Sequence, residues 1–484
     1  MNLDILKQIL PESAVSTDAA QLQSYKVSDP LAEGCVLPTA IVKPKDFDEV
    51  QKVVQAANKE GIKIVPVSSG APHIKEGIGC REEHIVMDLS GWKEISGMSR
   101  RNLVCMIEPG VTYEELLPAI DKEGMQIPMP IAPRSGKSVL AASLDREPCT
   151  WPNKEWNAQD PICSLEFAFG SGEKFRTGSA AAPGTIEEQR ALGISHKGPN
   201  GPGATGFQRL IMGSQGSMGV VTWATIKLEV KPAITKTYLV ESDNLQAMEQ
   251  FIYDVNHPRW GERQFMMNNV ALAMLLTYKK PSELEAVRNK FKDYVCFQEI
   301  AGFSVLPEEK LRYQDRGITN IAVGHGLAMQ QEIGGIAADE VLTAAVTPCG
   351  EQDWRKAFKG ECLSLLMQTT LDRAGEYIAT VKTVAGMEGI DANELGIYVQ
   401  PMVQNSSVGI EFMLPYDKKD LQQIKSFEEK ATQALNAQHA FFGRPYGTSA
   451  KIVWDNDPVS TKLLKTMKQL MDPNRVLNPG KFGL

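Results

Sequence analysis

The sequence has no cysteine pair at C-x-x-C spacing; its eight cysteines, Cys35, Cys80, Cys105, Cys149, Cys163, Cys296, Cys349 and Cys362, are scattered. A zinc ribbon or an iron–sulfur cluster therefore lacks its ligand pattern. Thiols this sparse make no disulfide framework and read as reduced core residues. The six histidines include no H-E-x-x-H and no pair within one helical turn, so no metal is expected. Long apolar runs are missing too. Val270 to Leu276 is the longest candidate, far below the ~20 residues of a membrane helix. The N-terminus lacks the basic and apolar regions of a secretory signal, which makes the cytoplasm the expected location. No basic block offsets the formal net charge of -8, so nucleic acid and anionic membranes are not expected partners.

What is present is a 484-residue chain, 43% hydrophobic and 23% charged. That is too long for one core, and two domains are the natural expectation. Ala40 to Val42 reads as a strand. Asp46 caps a helix over 48–59 whose Val50, Val53, Val54 and Ala57 recur at helical spacing. Gly61 ends it, and Ile62 to Val67 reads as the next strand, opening into Ser68-Ser69-Gly70-Ala71-Pro72-His73. Further strands are expected at 85–89 and 103–108. Thr112 and Glu115 form a capping box for a helix over 113–122. Residues 164–177 read as a hairpin, 178–206 as a long loop, and 220–230 as a strand bounded by Pro232. Beyond Pro232, helices are expected at 244–256, 281–292, 355–385 and 418–437, and strands at 236–241, 396–402 and 408–414. That pattern fits an α+β layer, one sheet with helices on one face.

Three segments carry chemical meaning. Gly70, just after a buried strand, lets backbone approach a ligand, and successive N–H groups there suit a pyrophosphate. In Gly213-Ser214-Gln215-Gly216-Ser217-Met218-Gly219, three glycines at intervals of three leave a backbone face bare, as suits a flat or extended cofactor. A strand follows instead of the long helix of a nicotinamide-binding unit. The tail, Asp472-Pro473 to Pro479-Gly480-Lys481, follows a helix and makes two proline turns around a buried-type Val476-Leu477.

In order, Pro66-Val67-Ser68-Ser69-Gly70, Ile107 to Thr112, Ser138 to Arg146, Phe175 to Gly178, Gly213 to Thr222 and the tail resemble the vanillyl-alcohol oxidase/p-cresol methylhydroxylase flavoprotein superfamily. The resemblance runs the full length. It implies an α+β fold: a two-subdomain FAD-binding domain of the p-cresol methylhydroxylase type, over 1–232 with a return at 446–484, enclosing an α+β cap at 233–445. It implies FAD as cofactor, contacted by Pro66, Ser68, Ser69, Gly70, Ala71, Pro72 and His73. Pro109, Gly110, Ser138 and Ala142 follow, then Gly213, Gly216, Ser217, Gly219 and Val220, and finally Asn478 and Lys481.

Of the branches weighed, flavin dehydrogenases of D-2-hydroxy acids carry a His-x-Gly-Asp-Gly-Asn motif that Gln404 to Phe412 does not match. The para-substituted phenol branch is closer: Gly396 to Pro401 and Ile410 to Phe412 are similar to its cap strands. The resemblance implies Asp145 as the acid beside the flavin, Arg444 as the anchor of a substrate anion, and Tyr446 and Tyr398 as pocket hydroxyls. Gly443 stands where that branch has tyrosine, which leaves a carboxylate substrate open. The expected activity is hydride removal from a para-substituted phenol or related benzylic compound. A 2-hydroxy-acid dehydrogenase and the flavin subunit of an electron-transfer complex, served by a cytochrome or iron–sulfur partner, are the alternatives. A homodimer is expected.

Overall fold

The computed structural model describes residues 3–27, 32, 34–73, 79–153 and 161–481. Its strands sort into three main sheets, and each sheet follows from a burial pattern in the sequence. The first runs Val15–Ser16, Ala40–Val42, His84–Asp88, Lys63–Val67, with the last three mutually parallel. Parallel strands are buried on both faces, and Ala40, Ile41, Val42, Ile64, Val65, Ile85 and Val86 are accordingly all buried. The helix Phe47–Glu60 crosses between two of these strands. Asp46 accepts a hydrogen bond from the Glu49 N–H (2.9 Å), and Gly61 stops the helix at φ +71°.

The second sheet is antiparallel, in the order Ile95–Ser99, Val104–Ile107, Val220–Lys227, Ile162–Ala168, Lys174–Arg176. Beside it lies the helix Tyr113–Asp121, which has the expected capping box from Thr112 and Glu115 and passes through Pro118. The expected loop at 178–206 is not wholly irregular. Thr185 and Glu188 form a second capping box on a short helix, Ile186–Ala191.

The third sheet is antiparallel and lies between residues 234 and 416. Its order is Ile234–Ser242, Tyr294–Gly302, Gln264–Asn268, Gly396–Met402, Ser407–Tyr416, Glu361–Thr369. Two expectations are corrected here. Residues 355–385 are not one helix: Glu361–Thr369 is an edge strand paired along its length with Ser407–Tyr416, and the helix is confined to Ala374–Met387. Helices also pack on both faces of the sheet. Val240, Met266, Val399 and Phe412 point to a core under Leu245–Asn256, Ala374–Met387 and Leu421–Ala437. Their neighbours Leu239, Phe265, Met267 and Tyr398 point to a second core under Asn269–Thr277 and Ala338–Val346. The alternation of successive side chains makes both faces apolar, and each must be covered.

Two seams join this third sheet to the first two. Ile131 and Ala132 enter its second core, and the Ala132 and Ser135 N–H groups donate to the Ala345 and Gly350 carbonyls. Further on, Trp151 packs with Cys149 and Met402, under the Arg263 guanidinium.

The chain end returns to the first sheet. Leu477 bridges Ile64 in parallel, and Asn478 donates its Nδ2 to the Gln215 carbonyl (2.6 Å). Beneath it, Lys468 Nζ donates to the Asp472 carboxylate (2.6 Å), to the Leu477 carbonyl (2.9 Å) and to the Ser217 carbonyl. Asp472 also accepts from the Val476 and Leu477 N–H groups. One buried cation thus ties the tail to the loop 213–219. Removing one member of a buried pair strands the other charge, so Lys468→Met is expected to cost about 3–5 kcal/mol. Chemical denaturation checks this against Lys462→Met on the exposed side of the same helix, expected within about 0.5 kcal/mol of wild type.

Candidate active site

Between the first two sheets and the third runs a cleft of about 410 Å3. One wall is backbone-rich. It comprises Pro66 to Ser69 at the end of the strand Lys63–Val67, then Pro109, Leu140, Ala141 and Leu144, and Ser214 to Gly216 with Gly219 to Val221. Gly216 has φ +74°, and a β-carbon there would come within 2.7 Å of the Pro66 ring. The loop therefore folds against the strand only because the residue is glycine. A β-carbon at Gly219 would meet the Phe167 ring at 2.7 Å.

Other residues expected from the sequence sit behind this wall and brace it. Ser138 is fully buried, caps the helix Val139–Leu144 and donates its hydroxyl to the Pro109 carbonyl (2.5 Å). Its N–H donates to Ser69 Oγ (3.1 Å). Ala142 lies on the buried side of that helix, and the Gly213 N–H closes the helix end on the Leu144 carbonyl (2.7 Å). Gly70 pairs with the Gly136 carbonyl through its N–H and accepts from Arg134 through its own carbonyl. Ala71 and Pro72 connect it to His73, which lines the cleft and stacks on Tyr25 at 5.2 Å. Burial lowers the His73 imidazole to about 4, and the Arg134 charge adds to this. Gly110 approaches the Ser90 carbonyl, Ser217 donates to the Ser214 carbonyl, and Asn478 and the buried Lys481 belong to the tail.

At one end of the cleft three of the residues singled out from the sequence, Asp145, Arg444 and Tyr446, converge. Asp145, the C-cap of the helix Val139–Leu144, receives Arg444 on Oδ2 at 2.5 Å, and its carbonyl receives Arg444 Nε at 2.8 Å. The Tyr446 hydroxyl donates to Asp145 Oδ1. Arg444 also faces Glu147 at 3.5 Å, and Glu147 pairs with Lys137 at 2.7 Å. Burial would strip the charge from Arg444, but Asp145 and Glu147 overcome it and hold the guanidinium above its ordinary value. Burial, and then the Asp145 charge, push the Tyr446 hydroxyl well above the usual tyrosine range.

The opposite wall belongs to the third sheet. Tyr398 reaches the cleft, but its hydroxyl is spent on Gln400 at 2.5 Å. A second charged cluster lies here, of which sequence reasoning raised Glu411 alone, as a residue either in the pocket or on the solvent face, and missed its partners. Arg355 bridges Asp353 (3.2 Å) and Glu411 (2.8 Å), and Ser364 donates to Glu411. The alternation in Glu361–Thr369, with Leu363, Leu365 and Met367 buried and Ser364, Leu366 and Gln368 facing the cleft, was the signal that could have found this wall.

The residues present fit an extended dinucleotide. Glycine and small side chains leave the wall flat, hydroxyls and backbone gather at Ser68–Ser69, and the charged cluster lies where the walls face each other. A family profile described as an FAD binding domain matches residues 38–178. The 4-cresol dehydrogenase (hydroxylating) flavoprotein subunit of Pseudomonas putida is 24% identical over 520 residues, covering 99% of this chain and 94% of that protein. Glycolate oxidase subunit GlcD of Bacillus subtilis is 25% identical over 258 residues, which is 52% of this chain; the match spans about half that relative's length, at 50%. The solved structure of 4-ethylphenol oxidase from Gulosibacter chungangensis shares the fold at a TM-score of 0.82 and 16% identity, over 99% of this chain and 96% of that one. An FAD binding domain is thus matched over residues 38–178, and the chain shares its fold from end to end with 4-ethylphenol oxidase.

Proposed function

We propose that the protein is an FAD-dependent oxidoreductase that removes a hydride from a small para-substituted phenol or related benzylic compound. The observation that carries this reading is the Asp145–Arg444–Tyr446 cluster at the cleft, facing the third sheet. Residues 1–232 and 446–484 form the FAD-binding domain in this reading, and 233–445 the cap. Pro66 to His73, Pro109, Ser138, Gly213 to Val220 and Asn478 would hold or brace the cofactor. When bound, FAD supplies a two-electron acceptor for a hydride.

The chain's own residues do the rest. For a benzylic alcohol, the hydroxyl proton goes to Asp145 as the hydride leaves carbon, and a carbonyl product remains. Each Asp145 oxygen already accepts one hydrogen bond, and a carboxylate has lone pairs for more. Arg444 and Tyr446 hold that carboxylate in place, and the apolar Leu144, Leu366 and Ile410 restrict bulk water. The names of the 4-cresol and 4-ethylphenol relatives support the phenolic class. Supporting it further, Arg444 and Arg355 each face two carboxylates, and the third arginine of the cleft, Arg134, is turned to the Gly70 and Glu351 carbonyls. We place the protein in the cytoplasm as a homo-oligomer, in keeping with its eight free cysteines. Oxygen, or a cytochrome or iron–sulfur protein, takes the electrons.

Anaerobic flavin reduction with 4-alkylphenols, benzylic alcohols, D-lactate and glycolate tests the reading. The first two classes are expected to bleach the flavin; bleaching by D-lactate or glycolate alone would favour the hydroxy-acid dehydrogenase instead. Compared at equal FAD loading, Asp145→Asn should slow reduction by about 100-fold or more, as loss of a general base does. The pH profile of reduction should show no break from Tyr446 below about pH 10, because that hydroxyl is held above its ordinary range. Stopped-flow rates of wild type and Tyr446→Phe, with superimposable profile shapes below that pH, check this.

A further inference from the structure

Most polar side chains at the reaction end of the cleft have already spent their hydrogen bonds inside the protein. Arg444 and Tyr446 serve Asp145, Ser364 and Arg355 serve Glu411, and Tyr398 serves Gln400. Gln368 differs. Its main chain pairs in both directions with Phe441, yet among the described residues its carboxamide has no partner. It faces the cleft at the end of the alternating series Ser364, Leu366, Gln368.

One glycine makes room for that amide. A second, Gly409, is its register partner on the neighbouring strand, where a β-carbon would meet Pro148 and Met402 instead. At Gly443 a β-carbon would come within 2.6 Å of the Gln368 carboxamide oxygen, so the amide takes the space that a side chain at 443 would need. Electrostatics set what such a notch can hold. Arg444 faces Asp145 and Glu147 at 2.5 and 3.5 Å, and Arg355 faces Asp353 and Glu411 at 3.2 and 2.8 Å. Neither cation has charge to spare, and an anion buried without a counter-charge is heavily penalised by desolvation.

We propose that Gln368 is the specificity-determining residue for the polar end of the substrate, and that this end is un-ionised: a neutral phenol or an aryl ether. The carboxamide nitrogen donates to the substrate oxygen, and Oε1 accepts from a hydroxyl where one is present. The inference rests on the FAD-oxidoreductase reading and names the protonation state of its substrate. Gln368 binds and takes no part in hydride removal.

The test uses the FAD-loaded full chain and two probes, 4-hydroxybenzyl alcohol and its methyl ether, in anaerobic flavin reduction between about pH 6 and 9, below the ionisation of a phenol. Both probes should reduce the flavin, with half-saturating concentrations that do not change with pH. Gln368→Leu should raise those concentrations about 10-fold or more for both probes, while the limiting rate changes less than about 3-fold. Gln368→Glu, which keeps the shape and an acceptor but loses the donor, should weaken the ether more than the phenol. A structural role alone would not separate the two probes. An inert ether with a phenol that binds tighter at each higher pH would overturn the inference and leave the proposed activity standing. So would FAD-retaining Gln368 variants that treat both probes as wild type does. Reduction by neither probe in FAD-loaded wild type overturns the proposed activity, and this inference with it.

Discussion

The half-buried ion pair between Asp145 and Arg444 is the constraint on which the rest of the site depends. Its partners are 299 positions apart in the chain. Two charges taken out of water are tolerated only when each has its partner in good geometry, so the helix Val139–Leu144 and the segment after Phe442 must arrive together. The helix is fixed at its start by Ser138 on Pro109 and at its end by the Gly213 N–H. That second contact brings in the glycine loop, and Lys468 and Asn478 brace the loop from the chain terminus. Satisfying one pair of charges thus orders both the acid and the bare backbone beside it.

The seams between the sheets serve the same end. Ile131 and Ala132 leave the first half of the chain to enter a core of the third sheet, and Trp151 packs on Met402. Apolar burial at two separated points resists rotation of one wall against the other. A cleft whose walls come from different parts of the chain needs such a brace if a carboxylate is to stay within reach of a substrate hydroxyl.

Much of this was legible in the sequence wherever the signal is local. The capping boxes, the Asp46 cap and the Gly61 stop need only neighbouring residues, and the spaced glycines at 213, 216 and 219 marked a bare backbone. Asp145, Arg444 and Tyr446 were found through ordered segments that resemble a family, and the fold brings all three together. The strand Glu361–Thr369 was read as helix because Leu363, Leu365, Leu366 and Met367 fit either period; pairing with Ser407–Tyr416 decides it. Arg355 and Glu411 lie 56 positions apart, and their pairing has no local signature. Gln368 was hidden for the same reason: its room depends on Gly443, which only the folded chain brings to it.

The central claim is that the glycine-walled cleft binds FAD. Titrating apoprotein with FAD and following flavin fluorescence tests it most directly. The account predicts saturation at one FAD per chain in wild type and no saturable binding in folded Gly216→Val, whose side chain would collide with Pro66 and require a backbone conformation that valine resists. Wild-type fluorescence that stays linear in added FAD, or a variant that binds as wild type does, would contradict it.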